Sequence, residues 1–187
     1  MTPREIEQRL YACAHLQQAD LDRLVRAGIP KTAIWRPDCI ARASVVFHPK
    51  RLFDFAEEVK DGGEVGDAYI VLARSEMGDV ADLVAWQPRS SNVASWLGRT
   101  AILGAECVYR ARLSGNGALV VHDDPLAWLR AERRGIVILD AKRAAGLLYC
   151  VGPLSVSDRE RARDLRSALT RRPPRILVAS TNIARAA

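Results

Sequence analysis

Gly117-Ala-Leu-Val-Val-His122 runs into Asp124-Pro-Leu-Ala-Trp-Leu-Arg-Ala-Glu-Arg-Arg134, and Gly135-Ile-Val-Ile-Leu-Asp140 follows at once. The same phrase returns as Gly152-Pro-Leu-Ser-Val-Ser157 ahead of a helix-like stretch from Asp158 to Leu169. It ends on Pro174-Arg-Ile-Leu-Val-Ala179. Short apolar runs between helices read as strands of a parallel sheet, whose two faces are both covered. Such sheets bind ligands outside the carboxyl ends of their strands. His122, Asp123, Asp124, Asp140, Asp158 and Glu160 therefore belong near one expected edge.

Local signals mark the helices of this half. Asp124 is an N-cap with Pro125 at the first helical position, and Gly135 ends that helix after Arg133 and Arg134. Ser157 and Glu160 have the spacing of a capping box, opening a helix whose Ala162, Leu165 and Leu169 face the sheet. On the other side Arg159, Arg163 and Arg166 fall at i, i+4 and i+7 and form one cationic stripe.

The upstream residues have a different period. Thr2-Pro-Arg-Glu5 is a capping box, and Ile6 and Leu10 recur at helical spacing. A second helix is expected from near Asp20, burying Leu21, Leu24 and Val25 and stopping at Gly28, so that the two form a helical hairpin. Ala43–Phe47, Ala68–Ala73 and Ala81–Trp86 read as strands of a small antiparallel meander, with turns at Asp61–Glu64 and Glu76–Asp79. Pro88–Asn92 reads as the linker, dividing the chain into 1–92 and 93–187. The fold class is α/β, with an α+β N-terminal part.

The totals narrow the function classes. No apolar run approaches the length of a membrane span, and Met1–Gln8 is charged, without the apolar core of a leader. The four cysteines are scattered without a Cys-x-x-Cys pair, which suits reduced thiols in the cytoplasm. Residues 1–98 hold 12 Lys+Arg against 14 Asp+Glu, whereas residues 99–187 hold 16 against 8. The basic half points to a polyanion partner. Phosphate-binding loops of the Gly-x-x-x-x-Gly-Lys or Gly-x-Gly-x-x-Gly type, and the Gly-x-Ser-x-Gly elbow, do not occur in the sequence. Cys13, His15, Cys39 and His48 could each ligate a metal, but their spacing matches no zinc motif. Of the tryptophans, Trp86, Trp96 and Trp128 read as core, and Trp35 is the one that could reach a partner.

The order strand, acidic turn, helix, strand, strand, Asp-x-acidic, helix, strand resembles the Toprim domain of primases, topoisomerases and related phage and plasmid replication proteins. That family places a glutamate after its first strand and an Asp-x-Asp pair after its third, and these acids hold magnesium. Leu119–Trp128 lies where the first motif would be, with His122 at the glutamate position. Asp158-Arg-Glu-Arg-Ala-Arg163 is similar to the Asp-x-Asp segment, with Glu160 as second acid and Arg163 in place of glycine. The resemblance covers about residues 117–180. Asp82–Pro88 and Ala94–Arg99 resemble proteins of bacterial prophage and plasmid regions.

Three functions follow as expectations. The leading one is a cytoplasmic accessory protein of bacterial, prophage or mobile-element origin. It would bind DNA or RNA without catalysis or cofactor, through Arg159, Arg163, Arg166, Arg171 and Arg172. The second is a divergent magnesium-dependent phosphoryl-transfer or nuclease-type enzyme. Its metal ligands would be Asp158 and Glu160, with His122 and Asp140 as further catalytic candidates. The third is a protein-interaction module, with a protein partner or a homo-oligomer and no membrane contact.

Overall fold

The computed structural model describes residues 1–59, 63–88, 90, 92–114 and 117–170. The turn at 61–64 and the linker at 88–92 lie partly outside them; the 174–179 strand, Arg171 and Arg172 lie wholly outside. The fold mixes α and β: among the described residues six strands follow one another from Ala41 to Leu103 with no α-helix between them, and helix and strand alternate from Glu106 onward. The helices are α1 (Pro3–Ala12), α2 (Gln18–Arg26), α3 (Lys31–Trp35), α4 (Glu106–Ser114), α5 (Pro125–Arg130), α6 (Ala141–Leu148) and α7 (Arg159–Leu169). The strands are β1 (Ala14–His15), β2 (Ala41–His48), β3 (Leu52–Phe55), β4 (Val65–Arg74), β5 (Val80–Trp86), β6 (Val93–Ser95), β7 (Ile102–Leu103), β8 (Leu119–His122), β9 (Ile136–Ile138) and β10 (Leu154–Ser155). No helix among the described residues is long and apolar enough to cross a membrane.

The expected meander closes into a five-stranded barrel. β2 pairs with β4 along one edge and with β3 along the other, β4 pairs with β5, and β5 with β6. A single parallel pair, Leu52 opposite Ser95, joins β3 to β6 and completes the circuit. The closing strands are too short to show a period of two, so an open sheet was the natural expectation. β6 also follows the linker, so Val93–Ser95 belongs to the barrel and not to the C-terminal α/β unit.

Alternation along β4 and β5 assigns the two faces of the barrel wall. Ala68, Ile70, Leu72, Leu83 and Ala85 share one buried cluster with Val45, Phe53 and Phe55, which fill the barrel. Ile6 and Leu10 of α1 join that cluster, helped by the Thr2–Glu5 capping box that the sequence predicts. Tyr69, Val71, Ala73, Val84 and Trp86 face the opposite way and pack with Leu24 of α2, Ile34 of α3 and Trp128 of α5. The first two helices therefore serve different clusters, with β1 paired to β2 between them, and do not make the expected hairpin. Within α2, Leu24 is buried but Val25 is 40% exposed.

The second sheet has the order β10-β8-β9-β7. β10, β8 and β9 are parallel, and β7 runs antiparallel on the edge of β9. Leu103, Val137 and Leu139 meet the outer barrel wall, while Ile102, Val121, Ile136 and Ile138 meet Val108 of α4, Ala144 and Leu148 of α6 and Leu165 of α7. Burial on both faces explains why β9 reads as an unbroken apolar run, whereas on β8 Leu119 and Val121 are buried and Val120 is 43% exposed.

The helix after β8 is shorter than expected. α5 ends at Arg130, and Glu132 and Arg133 take positive φ angles of 54° and 62°. Arg133 accounts for the turn, because its side chain is drawn inward to 8% exposure. It donates to Ala33 O at 2.9 and 3.1 Å and to Asp38 O at 2.7 Å, and lies 5.4 Å from the Trp128 ring. Burial lowers its pKa from the ordinary arginine value.

Asp82 fixes the passage from barrel to sheet. It is fully buried, and its carboxylate accepts the backbone N–H of Leu83 at 2.8 Å, Leu97 at 2.9 Å, Arg99 at 2.7 Å and Thr100 at 3.4 Å. An amide there would set N–H donors against N–H donors. Asp82→Asn should therefore cost about 3 kcal/mol in urea unfolding. A loss below about 1 kcal/mol would show that the loop is held by other contacts.

Candidate functional site

The three parallel strands bring their carboxyl ends to one edge, and each runs into a helix capped by an aspartate. Asp124 Oδ1 accepts Ala127 N–H at 2.7 Å, Asp140 Oδ1 accepts Arg143 N–H at 3.1 Å, and Asp158 Oδ1 accepts Arg161 N–H at 2.8 Å. The expected edge is therefore real, and the acids on it close helix N-termini. At α7 the cap is Asp158, one residue after the Ser157 that the sequence favours, and Arg161 takes the position expected for Glu160. Both Ser157 and Asp158 are good caps, and the extended backbone at Asp158 selects the second. Ser157 instead donates its hydroxyl to Asp158 Oδ2 at 3.1 Å.

His122 is also engaged. Its Nε2 stands 2.7 Å from Arg134 O, and a carbonyl can only accept, so Nε2 carries the proton. Gly135, at φ +96°, makes this approach feasible, since a Cβ there would stand 2.6 Å from Val120 O and 2.9 Å from His122 Nε2. Among the described residues no hydrogen bond or ion pair links His122, Asp140, Asp158 and Glu160 to one another. Nor is any group of three or more His, Cys, Asp or Glu side chains placed there to hold a metal ion. The Asp158 oxygens already accept from Arg161 and Ser157, an arrangement that does not fit the near-octahedral oxygen shell of magnesium.

What the edge does hold is a cationic cleft. A cavity of about 490 Å³ lies between the turn after β2, the end of β9 and α7, lined by Lys50, Arg51, Asp140, Arg161 and Asp164. A neighbouring cavity of about 340 Å³ shares Lys50, Arg51 and Asp140 and adds Arg143. Lys50 and Arg51 both take positive φ, 64° and 59°, a conformation that costs non-glycine residues energy and concentrates at functional sites. Arg51 donates to Leu139 O at 2.9 Å, and Arg161 Nε lies 3.4 Å from Asp123 Oδ1. Nothing local in the sequence marks this cleft, because Lys50-Arg51 is remote in the chain from the strand ends it faces.

The expected stripe on α7 is present. Leu165 is buried at 6% exposure and Leu169 packs partly against the same cluster, while Arg159, Arg163 and Arg166 are exposed. Ala162 is exposed too, so the inward face is narrower than the period suggests. No side-chain hydrogen bond or ion pair engages these three arginines among the described residues. Many of the other arginines in this half are committed internally. Arg112 pairs with Glu76 at 2.6 Å, Arg130 donates to Ala27 O at 2.6 Å, and Arg143 donates to the carbonyls of Gly98 and Arg99.

The four cysteines carry no disulfide. Trp86 and Trp128 are buried and Trp96 partly so, whereas Trp35 is 52% exposed. Comparison with protein-family models, curated proteins and solved structures finds no match to this chain.

The caps make a pH-dependent prediction. The Arg161 N–H, and then the Ser157 hydroxyl, hold the Asp158 carboxyl below the usual aspartate pKa. A lowered folded-state pKa gives stability above the unfolded value that is lost as pH falls through the folded one. Asp158→Ala should thus melt below the parent at neutral pH, and the gap should close only below the ordinary aspartate range. Thermal scans from neutral to strongly acidic pH check this; a gap unchanged by acid would rule out a charged cap.

Proposed function

We propose that this protein binds the backbone of nucleic acid through the outer face of α7, with the strand-end cleft as a second cationic contact. The observation that carries the reading is the state of its arginines. Arg99, Arg112, Arg130, Arg133 and Arg143 in the basic half serve the fold, whereas among the described residues no hydrogen bond or ion pair engages Arg159, Arg163 and Arg166 on one exposed helix face. Those three span about 10 Å of helix, the axial length over which one strand of a duplex presents about three phosphates. Contacts of this kind position a protein on a polyanion without reading its bases.

The same reading makes residues 117–170 a Toprim-like unit without catalysis. Its support is the three parallel strands β10, β8 and β9, each followed by a helix that an aspartate caps; α6, between β9 and β10, departs from the strand–strand order of the resemblance. The barrel and the antiparallel β7 stand outside that pattern. His122 replaces the glutamate that the resemblance calls for, and its Nε2 proton is spent on Arg134 O. Asp140 and Asp158 act as caps, so no step is assigned to a metal.

Salt dependence tests the proposal. If α7 neutralises about three phosphates, the slope of log affinity against log salt should contain about −2.7 from this face. Replacing Arg159, Arg163 and Arg166 together by glutamine should remove that share and weaken all sequences alike, with the fold intact because Gln matches Arg in helix propensity. Unchanged affinity in the triple variant would exclude α7 as the binding face. Absence of DNA and RNA binding by the parent at low salt would exclude the function.

A further inference from the structure

Of the four tryptophans Trp35 alone is exposed, at 52%, and the fold gives it no way inward. Its neighbours Ala33 and Ile34 occupy the buried face of α3. Arg133 holds Ala33 O with two N–H groups, at 2.9 and 3.1 Å, and Ile40 N–H donates to Ile34 O at 3.0 Å. The ring is therefore carried outward on a backbone fastened from two sides. Among the described residues no ring contact, cation or hydrogen bond engages its indole. A flat apolar ring on a rigid support is preorganised for a partner that covers it.

The surroundings narrow that partner. Helical spacing sets Lys31 and Thr32 one turn before Trp35, and Arg36 follows it; all three are exposed. No side-chain hydrogen bond or ion pair engages Lys31 or Arg36 among the described residues. Thr32, Ala33, Arg36, Pro37 and Glu132 line an open cavity of about 560 Å³ beside the ring. Glu132 is met by Arg134 at 3.6 Å, so Lys31 and Arg36 set the charge of this rim. The core of a protein interface, or a face that enters a membrane, needs contiguous apolar side chains. Here Lys31, Thr32 and Arg36 interrupt any such patch. One π face with a cationic rim matches instead an unpaired base and the phosphates on either side of it.

We infer that Trp35 is a stacking platform for an unpaired base of single-stranded nucleic acid, with Lys31 and Arg36 on the flanking phosphates. In a duplex both faces of a base are already stacked, so this site selects single strands, whereas the α7 stripe needs only phosphates. The inference rests on the nucleic-acid reading of the chain but uses no residue of α7, so the two faces can be tested apart.

Titration of the full chain with a short oligothymidylate, a short DNA duplex, heparin and anionic lipid vesicles, followed by tryptophan emission and by anisotropy, tests the inference. Oligothymidylate should quench the emission saturably, because Trp35 is the exposed indole; heparin, which carries anions without bases, should not. Trp35→Leu alters an exposed side chain and should weaken oligothymidylate by about tenfold while leaving the duplex unchanged, and Trp35→Phe should restore most of the loss. Replacing Lys31 and Arg36 by glutamine should flatten the single-strand salt slope by about 1.4. The variant lacking Arg159, Arg163 and Arg166 should keep the quench. Single-strand affinity indifferent to Trp35→Leu, with duplex binding through α7 intact, would overturn this inference alone. Trp35-dependent binding of oligothymidylate by a parent that ignores the duplex would uphold it and remove the α7 face. Saturated oligothymidylate binding without quenching, or an emission change on vesicles and none on oligothymidylate, would also overturn it.

Discussion

The outer wall of the β4–β5 hairpin joins everything else. Val71, Val84 and Trp86 meet Leu103, Val137 and Leu139 of the second sheet, with Leu24, Ile34 and Trp128 in the same cluster. Because the hairpin also fills the barrel with its alternate residues, its register sets both cores at once. A slip by one residue would exchange the contents of the two. Arg133 adds a polar tie across the same region, reaching from the α5 turn to the carbonyls beside α3. Asp82, on β5 itself, then holds the strand's backbone to the loop that starts the second sheet.

That arrangement decides what the charge of the chain is used for. An arginine that donates to a carbonyl on another element is a structural fastener, and its charge is less available to a partner. Arg130, Arg133 and Arg143 all act in this way. The net charge of the C-terminal half therefore overstates its attraction for a polyanion. What stays available is local: the α7 stripe, and Lys50 at the strand-end cleft.

Legibility from sequence followed the range of the interactions. β9 was visible because burial on both faces leaves an apolar run with no polar interruption, and β8 because the exposed Val120 between buried Leu119 and Val121 is itself apolar. The caps at Thr2 and Asp124 were visible because capping is decided within four residues. The barrel was not, since closure rests on one short parallel pairing between residues 43 positions apart, Leu52 and Ser95. The site followed the same rule. His122, Asp140 and Asp158 do stand at the strand ends, but their partners are backbone groups that only the fold supplies. Lys50 and Arg51 went unread as site residues because each acquires its meaning from an element distant in the chain.

On the proposed function, the exposed face of α7 meets nucleic acid while the acids of the strand edge remain helix caps. A heteronuclear NMR titration with a short DNA duplex at low salt addresses both parts in one measurement. Saturable shifts are expected at Arg159, Arg163 and Arg166 that reverse on adding salt, with the backbone amides of Arg143 and Arg161 still hydrogen-bonded to their caps. Shifts confined to the barrel, or none at all under those conditions, would contradict it.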